Sequence, residues 1–371
     1  MNLKYHKELD GVRAIAAFMV IFFHFWHEGG FNLPPLLIRI ANFGRTGVSL
    51  FFVLSGFLIT RILIATKESP GYFTSFYVRR SLRIFPLYYL FLTLTFIILP
   101  IISGETFALF NLQIYSWTYL QNFAMAFRWP HVGPRHLWSL SVEEHFYLFW
   151  PLLIHFLSIR KIVGTIVLII IMALGVRYFM VEHDYEAYYF TFARIDELSM
   201  GALLAVLEIK NKLIEKNANK FLLISVILAI PTIAFLAIFT NMDNNIVQIV
   251  KYNLLAFTFL GTVGYVISMR ETNWVKRFLR TRPMMFSGKI SYGLYLYHPL
   301  CIATIGSIFP KMNLALNFVM AVGFTFLVAS ASYYLYEVNF LKLKRFFEYK
   351  KDKAIQSETG VIHNKYLTET S

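Results

Sequence analysis

Residues 10–24 read Asp10-Gly-Val-Arg13-Ala-Ile-Ala-Ala-Phe-Met-Val-Ile-Phe-Phe-His24, an apolar run with a cation near its start and an imidazole at its end. With its neighbours it forms a segment over 9–26 of about the length that crosses a bilayer as a helix. Eleven residues make almost three helical turns, so Arg13 and His24 share one face, roughly 16 Å apart along the axis. Hydrocarbon disfavours both groups, which indicates that this face points into the protein.

The composition extends this interpretation to the whole chain. Of 371 residues, 57% are hydrophobic and only 15% are charged, which is too little charge for the surface of a soluble domain. Apolar runs of about twenty residues recur along the sequence, so we predict an all-α, polytopic helical membrane protein. The net charge of +14 lies mostly in loops between these runs and therefore does not indicate a nucleic-acid partner. A single cysteine, Cys301, excludes an internal disulfide.

Ten spans are predicted, and the distribution of positive charge orients them. A further stretch at 107–127 is apolar but contains five Asn, Gln and Ser residues. If it does not cross, most of the 35 lysines and arginines fall on the side of the N-terminus, as the positive-inside rule requires. We therefore predict cytoplasmic termini and a re-entrant or interfacial 107–127, with a membrane domain at 1–346 and a disordered polar tail at 347–371. The predicted spans are 9–26, 46–64, 82–102, 137–157, 162–181, 190–207, 221–239, 251–269, 288–308 and 314–336.

The fourth span opens with a polar motif, Trp138-Ser-Leu-Ser141-Val-Glu143-Glu144-His145-Phe-Tyr147. It enters from the outer side, so we expect it at the depth of His24. Ser141 and Glu144 have capping-box spacing and fit either a helix start or a functional role. Glu143 lies on a different face. A carboxylate can orient a histidine and stabilise its charged form, so we predict that Glu143 orients His24, a base for a hydroxyl proton.

Two arginines, Arg80 and Arg83, stand at the cytoplasmic start of the third predicted span and share a face. With Pro86 in the first turn, they would lie at a helix N-terminus, where free N–H groups and the dipole favour anions. Arginine also matches the geometry of phosphate. The pair is therefore either a phosphate clamp or topology-setting charge.

Two other motifs allow both a structural and a functional interpretation. Ser55-Gly56 lies inside the second span, where small residues indicate close helix packing or a narrow passage for a slender substrate. His298 falls near mid-membrane, before a proline that should kink the helix and free a carbonyl.

These motifs together resemble the bacterial acyltransferase-3 family of integral-membrane O-acyltransferases. The resemblance runs from Glu8 to about Phe340. It rests on Leu-Asp-Gly-Val-Arg-Ala with Arg-x10-His, Phe-Phe-Val-Leu-Ser-Gly, Arg-x-x-Arg, Trp-Ser-Leu-Ser-Val-Glu-Glu and Tyr-Leu-Tyr-His-Pro, in that order. Glu337-Val-Asn339 departs from the Glu-x-Pro usual near the end of such chains.

The resemblance implies transfer of an acyl group, most simply acetyl, from cytoplasmic acyl-coenzyme A to a hydroxyl of a carbohydrate or glycolipid acceptor. It implies a bacterial cytoplasmic membrane location, contact with membrane lipid and no metal. The residues expected to act are His24, Glu143 and Arg13 in catalysis; Arg80, Arg83, Ser55 and Gly56 in donor binding; and Asp10, Glu144, Tyr147 and His298 in support. His24 would either deprotonate the acceptor hydroxyl or receive the acyl group itself, and Arg13 would steer the thioester or a phosphate.

A transporter or flippase for a lipid-linked sugar or small solute is the alternative. Buried His, Arg and Glu also suit a proton relay. Transporters often show two halves related as inverted repeats, and the hydropathy pattern shows no such symmetry, which favours the acyltransferase.

Overall fold

The computed structural model describes residues 4–28, 34–104, 110–238 and 245–349. In these four ranges, ten helices of 18 to 24 residues overlap the ten predicted spans, although the third begins at Tyr72, before the predicted residue 82. No strand occurs in the same ranges. From residue 350 onward the predicted tail lies outside the described residues. The long helices are α1 (Glu8–Glu28), α2 (Thr46–Ala65), α3 (Tyr72–Thr93), α4 (Trp138–Phe156), α5 (Ile159–Glu182), α6 (Thr191–Ile209), α7 (Ala218–Ile238), α8 (Asn245–Ser268), α9 (Ser291–Ile308) and α10 (Leu314–Ser332).

Shorter elements connect and extend the long helices. Two π-helical turns follow α3 and α10 directly, so that both helices continue past their regular ends. The short elements are Pro35–Phe43, Leu94–Ile98 (π), Leu99–Ser103, Phe110–Trp117, Gln121–Ala126, Arg135–Leu137 (3₁₀), Glu215–Asn217 (3₁₀), Trp274–Leu279, Arg282–Lys289, Tyr333–Glu337 (π), Val338–Leu343 and Lys344–Phe347 (3₁₀).

Seven of the helical segments in the described ranges are long and apolar enough to cross a membrane. Among the long helices, α4, α6 and α9 stand apart because they carry the charged and polar motifs. The prediction of an all-α, polytopic membrane protein is confirmed; the count of crossings and the side of the termini stay predictions.

The 107–127 stretch forms two short helices, Phe110–Trp117 and Gln121–Ala126, from residue 110 onward. Neither is long enough to span a bilayer. Their polar groups bond inside the protein: the Gln121 amide donates to the Leu137 carbonyl at 2.9 Å, and the Asn122 amide donates to the Thr191 hydroxyl at 2.8 Å. Burial against the bundle explains why an apolar stretch carries so many amides.

The buried charges of α6 are paired with neighbouring charged side chains. Arg177 of α5 bonds Asp196 at 3.0 Å, and Arg194 bonds Glu197 at 2.8 Å. All four side chains are at most 1% exposed. The Asn253 amide of α8 also donates to Asp196 at 3.0 Å. Removing one partner of such a pair leaves an uncompensated buried charge, so these groups tie α5, α6 and α8 together.

Candidate active site

A narrow cavity of about 110 Å³, here the inner cavity, lies between α1, α2, α3, α4 and α9. We call it inner because Arg13, near the predicted cytoplasmic end of α1, lines it. Three arginines and a single carboxylate stand among apolar and hydroxyl groups, so the lining is cationic. It consists of Arg13, Val48, Phe51, Phe52, Leu54, Ser55, Leu58, Arg80, Arg83, Ile84, Ser139, Leu140, Glu143, Tyr147, Ser291, Tyr292 and Tyr295.

Arg13 is held in place from one turn away. Its Nη1 donates to Asp10 Oδ1 at 2.7 Å, and the Tyr5 hydroxyl donates to the other oxygen of the same carboxylate. The i, i+3 spacing of Asp10 and Arg13 on α1 makes this pair possible. Asp10 is therefore a supporting residue that orients the guanidinium at the cavity wall.

Arg80 and Arg83 line the cavity as a pair, but they do not stand at a helix N-terminus. α3 begins at Tyr72, after Gly71, whose φ of +74° is a conformation that glycine adopts without strain. The two arginines lie more than two turns further on, and Pro86 is inside the helix. The predicted use of free N–H groups is wrong, because the aromatic stretch before Arg80 is itself helical. Any attraction for anions comes from the guanidinium groups.

A polar chain crosses the cavity from α2 to α4. The Tyr147 hydroxyl bonds the Ser55 hydroxyl and lies 2.9 Å from Glu143 Oε2. The Arg80 guanidinium lies over the Tyr147 ring, 4.4 Å from its centroid. Arg80 Nε is buried with no hydrogen-bond partner among the described residues. The structure thus brings Ser55, Glu143, Tyr147, Arg80 and Arg83 to one cavity surface.

The capping-box interpretation of Ser141 and Glu144 is wrong. α4 begins at Trp138, directly after the 3₁₀ turn Arg135–Leu137, so Ser141 already lies inside the helix. Ser141 Oγ and Glu144 Oε1 are buried and have no hydrogen-bond partner within the described chain. Glu144 lies close enough to Arg80 to interact with its charge. It stands behind the inner cavity, whose lining does not include it.

Gly56 does not contribute to the cavity wall either. A Cβ at this position would overlap the backbone of Leu198, and one at Gly201 would overlap Val53. The two glycines let α2 and α6 approach closely, which is the packing role of small residues in membrane helices. The predicted donor contact at Gly56 is therefore replaced by helix packing, because the glycine faces α6 while its neighbour Ser55 faces the cavity.

His24 lines a second, wider cavity of about 830 Å³, here the outer cavity. Aromatic rings, histidines and two arginines form its wall. The lining consists of Val20, Phe23, His24, His27, Arg45, Val48, Thr95, Pro134, Arg135, His136, Trp138, Tyr188, Tyr189, Tyr295, Pro299 and Leu300. Arg13 and His24 therefore line different cavities, in agreement with their separation of roughly 16 Å along α1.

The neighbours of His24 differ from the predicted ones. His298 Nε2 lies 3.1 Å from His24 Nδ1, and the His136 ring lies 6.5 Å away between centroids. Glu143 lines the inner cavity and bonds Tyr147. Glu143 lies seven positions after His136, which is roughly 10 Å of helix rise. The residue at the depth of His24 is therefore His136, which precedes the predicted motif, and not Glu143 within it.

The two cavities adjoin at Val48 and Tyr295, which line both. The Tyr295 hydroxyl lies 2.5 Å from Ser139 Oγ and donates to the His136 carbonyl at 2.7 Å. Tyr295 therefore forms part of a shared wall between the cationic surface and the histidine surface. We call Val48 and Tyr295 the partition.

Sequence reasoning missed His136 and Tyr295. His136 precedes the predicted helix motif and looks like a loop residue, although a histidine two positions before a buried Trp138 was a usable signal. Tyr295 is one of several tyrosines in its motif, and nothing in the pattern separates them. Within the described ranges, no group of three or more His, Cys, Asp or Glu residues is placed to hold a metal ion.

The fold and the two cavities define a class: a multi-pass helical membrane protein with a cationic inner site and a histidine-lined outer site. The chain belongs to the acyltransferase-3 family, since the sequence model described as "Acyltransferase domain" matches residues 6–337. This membership favours acyl transfer over the transporter alternative.

The chain is also similar to curated relatives along most of its length. The O-acetyltransferase OatA of Staphylococcus aureus strain MRSA252 is 28% identical over 97% of this chain and 61% of its own length. OatA of strain NCTC 8325 / PS 47 is 29% identical over the same shares. This chain therefore spans about 61% of the length of these relatives. No solved structure matches it.

Proposed function

We propose that the protein is an O-acetyltransferase of the bacterial cytoplasmic membrane. It takes an acetyl group from acetyl-coenzyme A in the inner cavity and passes it to a hydroxyl of a carbohydrate or glycolipid in the outer cavity. The observation that carries the proposal is the partition: Val48 and Tyr295 separate three arginines on one side from His24 on the other. Family membership supports acyl transfer, and similarity to O-acetyltransferases supports acetyl.

The inner cavity suits a slender, anionic donor. A water molecule needs roughly 10–15 Å³ on a comparable measure, so about 110 Å³ admits a thin chain such as a pantetheine arm. Arg80 and Arg83 supply positive charge for the phosphates, which guanidinium groups bind well. Arg13, oriented by Asp10, steers a phosphate of the donor. Ser55, Tyr147 and Glu143 form the polar side of the passage.

The outer cavity suits a sugar. Its volume of about 830 Å³ lies within the usual range of ligand sites, and Tyr188, Tyr189 and Trp138 present apolar ring faces next to polar groups. The acceptor hydroxyl gives its proton to His24, and its oxygen attacks the thioester carbonyl carbon. The new C–O bond forms as the C–S bond breaks, and the departing sulfur takes the proton, leaving an ester and free coenzyme A.

The test compares His24→Ala with wild type for acetyl-coenzyme A cleavage by purified protein and for O-acetylated surface glycans in a complemented deletion strain. Because general-base catalysis contributes about 10²–10⁴-fold, turnover should fall by at least that range in a folded variant. His155→Ala is the matched control, since this α4 histidine lines neither cavity. Full transfer activity in His24→Ala, or no donor cleavage by wild type, would refute the proposal.

A further inference from the structure

We propose that His298 is a positioning residue for His24, which it holds in the tautomer that carries its proton on Nδ1 and its lone pair on Nε2. The inference rests on the function proposed above and adds which ring nitrogen of His24 accepts the proton. His298 is fully buried in α9, and its Nε2 lies 3.1 Å from His24 Nδ1. The two rings meet at a centroid distance of 4.7 Å.

Backbone carbonyls determine where the protons of this pair sit. A carbonyl oxygen only accepts hydrogen bonds, so a ring nitrogen that faces one must carry a proton. His298 Nδ1 lies 2.7 Å from the Tyr295 carbonyl and 3.2 Å from the Leu294 carbonyl. Nδ1 of His298 is therefore the donor, and Nε2 of the neutral ring is the acceptor that faces His24.

The same logic applies to His24. Its Nδ1 lies 2.9 Å from the Val20 carbonyl, so this nitrogen also carries a proton, which is shared with Nε2 of His298. In a neutral imidazole the lone pair then lies on Nε2. His24 Nε2 is thus the nitrogen that receives the acceptor proton in the proposed reaction.

The His-Pro sequence explains why the imidazole of His298 is held so firmly. In a regular helix the N–H of residue 299 would bond the carbonyl of Tyr295, but Pro299 has no N–H. The Tyr295 carbonyl therefore lacks its usual backbone donor, and Nδ1 of His298 donates to it instead at 2.7 Å. Pro299 therefore frees the carbonyl that fixes the ring of His298, and the ring in turn fixes His24.

The first experiment reads the tautomer of His24 in the wild-type protein. Nitrogen-15 NMR of histidine-labelled protein in lipid bilayers separates the two tautomers, and the signal of His24 is assigned by its loss in His24→Ala. We expect His24 to carry its proton on Nδ1 in the neutral form. A proton on Nε2 of His24 in the wild-type protein would overturn the proposal, whatever the activity of the variants.

The second experiment separates positioning from packing. His298→Leu removes the acceptor, whereas His298→Gln keeps a carbonyl oxygen near the position of Nε2. A wrong tautomer costs about 10⁴ in the serine-protease triad, so kcat should fall roughly tenfold or more in His298→Leu, with the donor KM unchanged. His298→Gln should recover part of this loss.

Cys301→Ala is the control for packing in α9, because Cys301 is buried three residues further on and lines neither cavity. Equal losses in His298→Leu and His298→Gln, or an unchanged His24 tautomer in His298→Leu, would contradict the positioning role. An active His24→Ala variant would instead refute the proposed function. Failure of the positioning role and failure of the proposed function are therefore distinguishable.

Discussion

At the residue scale, the proposed donor binding by Arg80 and Arg83 depends on the charge of their guanidinium groups and not on a helix end. Both side chains line the inner cavity, and α3 runs past them, so no helix end adds free N–H groups. Arg80 also packs on the Tyr147 ring. A lysine at either position would keep the charge and lose the planar fork that pairs with phosphate oxygens.

Removing these guanidinium groups should weaken donor binding selectively. A hydrogen bond to a charged group contributes about 1.5–3 kcal/mol, so Arg80→Ala or Arg83→Ala should raise the donor KM roughly 10- to 100-fold. Steady-state kinetics at varied acetyl-coenzyme A measure this effect. Arg79→Ala is the neighbouring control, because Arg79 bonds the Lys344 carbonyl and does not line the cavity. A change confined to the acceptor KM would count against the clamp.

At the element scale, the crossing of α2 and α6 positions the polar chain of the inner cavity. Gly56 and Gly201 allow the two backbones to approach, and Ser55, next to Gly56, then reaches Tyr147 of α4. The register of α2 against α6 thus decides whether Ser55 faces the cavity. A change at this crossing acts on both stability and the donor site.

Gly56→Ala should destabilise the protein. The added Cβ would overlap the Leu198 backbone, and overpacking of this kind costs roughly 1–3 kcal/mol. The apparent Tm in detergent should therefore fall. Gly175→Ala in α5 is the matched control, since a Cβ there meets nothing within 4 Å and alanine is the better helix former. Equal melting temperatures for the two variants would show that the α2–α6 contact is not tight.

At the scale of the whole molecule, the ten-span topology places loops on defined sides of the membrane. Lys212 and Lys311 are both exposed, and they are predicted inside and outside, respectively. A crossing at 107–127 would exchange them. The two short helices of that stretch favour the topology in which it does not cross.

Cysteine labelling tests this arrangement in intact cells. In a Cys301→Ala background, Lys311→Cys should react with a membrane-impermeant maleimide added from outside. Lys212→Cys should react only after the membrane is permeabilised. The reverse pattern would show either that 107–127 crosses or that the whole bundle is inverted; in the second case the inner and outer cavities are named the wrong way round.

A cluster of charged side chains at the N-terminal end of α1 connects distant parts of the chain. His6 Nε2 lies 2.9 Å from Glu208, and His6 Nδ1 lies 3.3 Å from Glu8. Arg61 pairs with Glu208, and Arg280 bonds Glu8. The cluster therefore connects the N-terminal segment, α2, α6 and the segment between α8 and α9.

The cluster should make stability depend on pH. Burial lowers the pKa of His6, but its hydrogen bonds to Glu208 and Glu8 raise it by more, so the net pKa lies above the ordinary value of 6.5. A raised pKa in the folded protein contributes stability that is complete below 6.5 and disappears as pH rises through the raised value.

The apparent Tm should therefore fall as pH rises from below 6.5 into the range above it. His6→Gln should show a flatter dependence, and a thermal-shift series across that range measures the difference. His183→Gln is the control, since His183 is exposed. The same slope in His6→Gln and wild type would rule out this role for His6.

The sequence by itself determined the class of protein and the family. Length and apolarity are local properties, so the ten helices could be located from runs of residues alone, and Arg-x10-His needs only the helical repeat to predict a shared face. The family resemblance predicted Arg80, Arg83 and Ser55 in donor binding and Tyr147 in support, and all four side chains line the inner cavity. The first residues of helices were harder to predict, as α3 and α4 show. An aromatic stretch or a 3₁₀ turn can extend a helix without a strong signal in the sequence.

Only the tertiary structure decided which side chains meet. His136 and His298 lie at His24, and Glu143 lies across the partition with Arg80. Contacts between helices depend on relative depth and rotation, and an offset of a single turn, about 5.4 Å, exchanges one partner for another. Such an offset is set by the packing of the whole bundle, for example by Gly56 against α6, and no single segment of sequence contains it.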